Sequence, residues 1–176
     1  MQVKTLPLPV SSYLIKWIVI GLSCLSFIIP FSLGHPQFLV GTIVNAALFS
    51  SAILLPKKFF WPVIILPSLG VLSRGLIFGP FTPFLIYFLP FIWLGNMGLI
   101  FVFKKTFTKV GFSTSVLISS LAKFCLLYIS AQIFFSLKIV PNVFLVSMGF
   151  NQLLTTISGG IIAFFILNYA RRKPRS

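Results

Sequence analysis

Apolar runs of about 20 residues, each closed by lysine, arginine, proline or glycine, recur along the whole chain. A helix rises about 1.5 Å per residue, so a run of that length matches the roughly 30 Å hydrocarbon core of a bilayer. Six such runs can be drawn, at about 13–33, 37–55, 61–78, 84–103, 111–136 and 144–169. They use nearly all of the 176 residues and leave no room for a soluble catalytic domain. With 58% hydrophobic and 8% charged residues, the composition agrees. The expectation is an all-α integral membrane protein, one domain over 1–176, folded as a compact bundle of six transmembrane helices.

The punctuation between runs sets their ends. The first run follows Lys4 and Lys16 and looks like a signal peptide, but no small-x-small cleavage site follows it, so it is expected to be retained. Gly34-His35-Pro36 turns the chain, and Pro56-Lys57-Lys58 closes the second run. Trp61-Pro62 opens the third, which carries a kink-forming Pro67. Residues 75–83 are too rich in glycine and proline for regular helix and too apolar for a solvent loop, which suits a short re-entrant or interfacial hairpin. In the fourth run Pro90 frees the Ile86 carbonyl and should bend the helix, and Lys104 to Lys109 is expected to end it. No internal repeat is evident.

Charge placement gives orientation. Ten lysines and arginines fall at the amino terminus, after the second and fourth runs and in the tail, against Lys138 and Arg74 on the other side. By the positive-inside rule both termini are expected to be cytoplasmic, in a multi-pass membrane protein. The net charge of +14 is therefore read as a topology signal and a site for anionic lipid headgroups, not as nucleic-acid binding.

Lys123 lies about midway along the fifth run, and the chain contains no Asp or Glu to neutralise it. Ionisable groups at bilayer depth are costly and usually mark function. Counting helical rise from the run ends puts Lys123, Asn96, Asn45, Asn151, Gln152 and Arg74 in the middle or outer half, as one cavity opening outward. Asn45 and Asn96 also read as interhelical hydrogen-bond glue, and Arg74 as a residue snorkelling to headgroups. Ser119, Ser120, Lys123 and Ser130 share a stripe of the fifth helix. Asn151, Thr155 and Ser158 share one line of the sixth, with Gln152, Thr156, Gly159 and Ala163 on the next. Gly159, Gly160 and Ala163, with the Ala46/Ser50 and Ala47/Ser51 pairs, read as helix-packing positions. Trp17 and Trp61 suit interface anchors, whereas Trp93 is deep enough to line a pocket. Cys24 and Cys125 read as buried small hydrophobes.

The missing carboxylates exclude much chemistry. Glycoside hydrolysis, oxygen-ligand metal cages and carboxylate proton relays all need Asp or Glu. His35 has no acid to orient it, and no GxxxxGK[ST] phosphate loop is present. Neither an enzyme nor a cofactor or metal is expected. What remains is binding: Lys123 with neutral amides, and Arg74 beside them, suits a small anion carrying carboxylate or phosphate.

The phrases Phe91-Ile-Trp-Leu-Gly95-Asn96, Ala122-Lys123-Phe124 and Met148-Gly149-Phe150-Asn151-Gln152-Leu153, with Gly159-Gly160, resemble uncharacterised S components of energy-coupling-factor transporters. The likeness runs over the second to sixth runs. It implies a substrate-binding subunit of an ATP-driven uptake transporter, capturing a vitamin or precursor from outside and docking on a transmembrane scaffold subunit driven by ATPase subunits. It further implies substrate contacts from Asn96, Lys123, Asn151 and Gln152. Many members dock through Ala-xxx-Ala in the first span. Here Gly21, Ser23, Cys24 and Ser26 form no such pair, so the Ala46/Ser50 or Ala47/Ser51 face is the substitute. The alternative is a non-transporting structural or assembly protein whose Lys123 pairs with a carboxylate of a partner chain.

Overall fold

The computed structural model describes residues 12–33, 35–75 and 79–172. Lys4, Gly34, residues 76–78 of the expected hairpin, and Lys173 and Arg175 of the basic tail lie outside the described residues. The chain is helical, with no strand among the described residues. Its helices are α1 (Ser12–Leu33), α2 (Gln37–Leu54), α3 (Phe60–Arg74), α4 (Leu85–Val110), α5 (Phe112–Ser136), α6 (Val143–Met148) and α7 (Phe150–Arg172). Five segments are long and apolar enough to cross a membrane: α1, α2, α4 with the turn before it, α5, and α6 with α7 taken together to Tyr169. A multi-pass membrane protein is built this way, because hydrocarbon leaves every backbone group to be satisfied within its own helix.

The third run departs from expectation. Its helix has 15 residues, Phe60–Arg74, not the span drawn at 61–78. At about 1.5 Å per residue that is roughly 22 Å, well short of the hydrocarbon core. Gly75, at φ +68°, ends it, donating its N–H to the Val71 carbonyl at 3.1 Å. Residues 79–83 of the expected hairpin, with Phe84, form a 3-10 helix leading into α4.

The fourth run is longer than drawn. α4 passes through Lys104 and Lys105 to Val110 and stops at Gly111, whose φ of +83° a side chain would resist. Lysines in the last turns complement the negative end of the helix dipole, so they prolong this helix where they were expected to end it. The sixth run is broken. Gly149 separates α6 from α7, and a Cβ there would collide with the Leu145 carbonyl oxygen and stand 2.9 Å from the Tyr128 ring.

α2 is the axis of the packing, with every residue from Val44 to Ile53 buried. Its main neighbour is α7, while α4 and α5 form the other large pair and α1 leans on α3 and α2. Gly159 of α7 makes the α2 crossing possible: a Cβ there would stand 2.7 Å from the Ala46 nitrogen and 2.8 Å from the Thr42 carbonyl oxygen. Ala46, Ala47, Ser50 and Ser51 are consumed by this interior packing, as is Ala163. The docking role expected of the Ala46/Ser50 or Ala47/Ser51 face is therefore corrected: those residues face other helices of the same chain.

Two apolar clusters result. One joins Leu48 and Phe49 of α2, Val63 and Ile64 of α3, and Leu99, Ile100 and Phe103 of α4. The other joins Leu85 and Phe88 of α4, Leu127 and Ala131 of α5, and Phe144 and Met148 of α6. Phe88 stacks on Phe144 at 5.1 Å and meets Phe134 edge-on at 5.2 Å. Cys24 and Cys125, expected to be buried, are both exposed on the outer surface of the bundle. In lipid an outward-facing small hydrophobe costs nothing, so apolar character did not separate inside from outside.

Candidate functional site

Between the two clusters lies a cavity of about 100 Å³ lined by residues of all seven helices. Helix-disfavouring residues lie where several helices border it. Pro30 of α1 and Pro67 of α3 both line the cavity, and α7 begins beside it after Gly149.

Lys123 enters from α5 and is 4% exposed. A Cβ on Gly95 of α4 would stand 3.4 Å from the Lys123 Cγ, so glycine leaves room for the lysine stem. Lys123 Nζ donates to Asn45 Oδ1 at 2.7 Å. Asn45 Nδ2 donates in turn to Thr155 Oγ1 at 3.2 Å, and the Thr155 hydroxyl donates to the Gln152 carbonyl at 3.1 Å. These bonds run in one direction from the ammonium through α2 to α7, so each polarises the next. They spread the charge without neutralising it, because the chain has no side-chain carboxylate.

Asn96 of α4 is 2% exposed and binds differently. Its Nδ2 donates to the Ile64 carbonyl at 3.0 Å, while its Oδ1, also buried, accepts no hydrogen bond. A buried acceptor without a donor costs about 1–3 kcal/mol. Nearby, Trp93 Nε1 donates to Ser68 Oγ at 2.8 Å, and Ser68 donates to the Ile65 carbonyl at 2.9 Å. Trp93 thus fixes Ser68, which lines the cavity, and is not itself part of the lining.

Asn151 and Gln152 occupy the first turn of α7 and line the cavity. Helix N-termini carry partial positive charge, so this end of α7 adds to the field of Lys123. Of the six residues expected at the site, the structure brings Lys123, Asn45, Asn96, Asn151 and Gln152 to one cavity. Arg74 stands apart. It donates to the Phe31 carbonyl at 2.8 Å and to the Ser32 carbonyl, capping the end of α1 outside the lining. Its place as a substrate ligand is corrected on that ground, since the last carbonyls of a helix lack internal donors and arginine answers them.

Gln37, Ser68 and Ser147 also line the cavity and were missed in the sequence. Gln37 carried a signal, as a lone amide opening an apolar run directly after Pro36. The two serines carried none, being indistinguishable from the many packing serines. Among the described residues no three His, Cys, Asp or Glu side chains gather as a metal set would require. The chain matches no protein family, no curated relative and no solved structure.

Proposed function

We propose that the protein is the substrate-binding transmembrane subunit of an ATP-driven uptake transporter of the energy-coupling-factor type. It captures a small anion in the Lys123 cavity and has no energy source of its own. The observation that carries the reading is a buried ammonium facing a cavity in a chain without carboxylates: a solute that brings the negative charge completes the site. The start of α7 at Asn151 supports an anion for the same reason that broken helices of transporters do. The unpaired Asn96 Oδ1 calls for a donor, so the solute carries a hydroxyl, amide or ammonium as well as its anionic group.

In this reading α3 completes a six-helix bundle with both termini in the cytoplasm, and the cavity lies nearer the outer face. The resemblance to S components supplies the partners, a membrane scaffold and ATPases, and the sequence carries no GxxxxGK[ST] phosphate loop. At about 100 Å³ the cavity is smaller than the pockets of drug-sized ligands, roughly 300–1,000 Å³. A compact solute of a few non-hydrogen atoms fits as it stands, and a vitamin-sized one needs the helices to part. Pairing of Lys123 with a partner-chain carboxylate is the weaker reading, because a partner's side chain would have to enter the bundle to reach a residue 4% exposed.

Native mass spectrometry of gently extracted protein tests the proposal. A small anion should remain with the wild-type chain and be lost from Lys123→Met while the thermal unfolding midpoint is kept. Retention of the same molecule by Lys123→Met, or loss of a protein complex in place of a solute, refutes it.

A further inference from the structure

A second group of cations lies away from the cavity, where α2 and α4 end and α3 begins. Lys57 belongs to the 3-10 turn Lys57–Phe59 before α3, and Lys104 to the last two turns of α4. Lys57 Nζ sits 6.0 Å from the centre of the Phe101 ring, and Lys104 Nζ 5.3 Å from that of Phe60. The two rings meet edge to face at 6.1 Å, so both ammonium groups are drawn over one aromatic pair. Two like charges held over the same ring pair repel each other. Lys58 adds a third ammonium over Phe59, at 5.1 Å.

Ring faces attract each cation but do nothing to relieve the repulsion between them. An anion between them does, and the chain holds no side-chain carboxylate to supply one. Phe60 is buried and fixed in the core, whereas Phe101 is 41% exposed on the outside of the bundle. The site therefore has a charged end formed by two lysines and an apolar end formed by an exposed ring. That is the polarity of a phospholipid at the bilayer surface, where basic pockets between helices take anionic headgroups.

We infer that Lys57 and Lys104 hold the phosphate of an anionic phospholipid whose acyl chain lies against Phe101. The site is separate from the Lys123 cavity and stands whether or not the protein binds a solute. Phe101 decides for a lipid over free phosphate, since inorganic phosphate has nothing to place against an exposed ring.

The test uses the full chain in mixed micelles of phosphatidylglycerol and phosphatidylcholine, with retained lipid counted by native mass spectrometry. Wild type should keep phosphatidylglycerol in preference to phosphatidylcholine. Lys57→Gln with Lys104→Gln should lower that retention by at least roughly tenfold, while Lys105→Gln with Lys109→Gln, which removes the same charge, should change it by less than about twofold. Lys57→Arg with Lys104→Arg should keep it, which separates loss of the site from loss of the fold. Equal loss in the two glutamine pairs would show only diffuse surface attraction and overturns the inference. So does undiminished retention by the Lys57/Lys104 pair, or binding of inorganic phosphate alone with no preference between the lipids.

Discussion

Gly159→Ala tests the crossing that brings α2 and α7 together at the cavity. The new methyl would stand 2.7 Å from the Ala46 nitrogen and from the Asn45 Cβ, and 2.8 Å from the Thr42 carbonyl oxygen. Two of these neighbours are backbone atoms, so no side-chain rotation relieves the contact. Ordinary contact begins near 3.4 Å, and the helices must therefore separate by about 0.7 Å. The Asn45 to Thr155 hydrogen bond is already 3.2 Å long, and that separation carries it beyond hydrogen-bonding range. Overpacking of this kind costs about 1–3 kcal/mol, and an interhelical hydrogen bond in a bilayer about 0.6–1.7 kcal/mol. Together they amount to roughly 2–5 kcal/mol. Steric-trap unfolding in bicelles measures this difference directly, with Gly98→Ala as the control because a Cβ there meets nothing within 4 Å. If Gly159→Ala unfolds no more readily than Gly98→Ala, the close α2–α7 crossing is wrong, and with it the account of how Asn45 is held.

Three further outcomes follow from the same packing. Asn45→Ala removes the acceptor of a buried ammonium and should destabilise by about 1.5–3 kcal/mol, while Lys123→Met combined with Asn45→Leu should recover most of that loss. A double-mutant cycle in bicelles checks the coupling, and strict additivity refutes it. Phe88→Ala empties the site between Phe134 and Phe144 and should cost about 3–5 kcal/mol, seen as a lowered unfolding midpoint in detergent; a change below about 1 kcal/mol contradicts the ring packing. Because no Asp or Glu is present, stability should stay flat from about pH 5 to pH 3.5, where most proteins lose carboxylate interactions; a fall in the unfolding midpoint across that range refutes this.

The long apolar runs were legible because hydrocarbon demands helices of a set length, and helical rise alone put Lys123, Asn45, Asn96, Asn151 and Gln152, together with Arg74, in the middle or outer half. What escaped the sequence depends on neighbours distant in the chain. Arg74 is answered by the carbonyls of Phe31 and Ser32, which no local pattern connects to it. The break at Gly149 sits in Met148-Gly149-Phe150, as apolar as any continuous helix. α2 bears small or apolar residues on every side, so the burial of Val44 to Ile53 and a lipid-facing docking stripe read alike. The exposed Cys24 and Cys125 teach the same lesson: where the surrounding solvent is as apolar as the core, hydrophobicity no longer distinguishes inside from outside.

The shortness of α3 reaches beyond this chain to the lipid around it. In the proposed six-span reading, a helix of roughly 22 Å set among longer ones would make the apolar girdle lower on that side, where the bilayer would thin or the bundle tilt. Pro67 and Ser68 of α3 form part of the cavity wall, so in that reading the mismatch would bear on the wall itself. Acyl-chain length would then be a mechanical input to the site. Cavity shape would be a property of protein and membrane together.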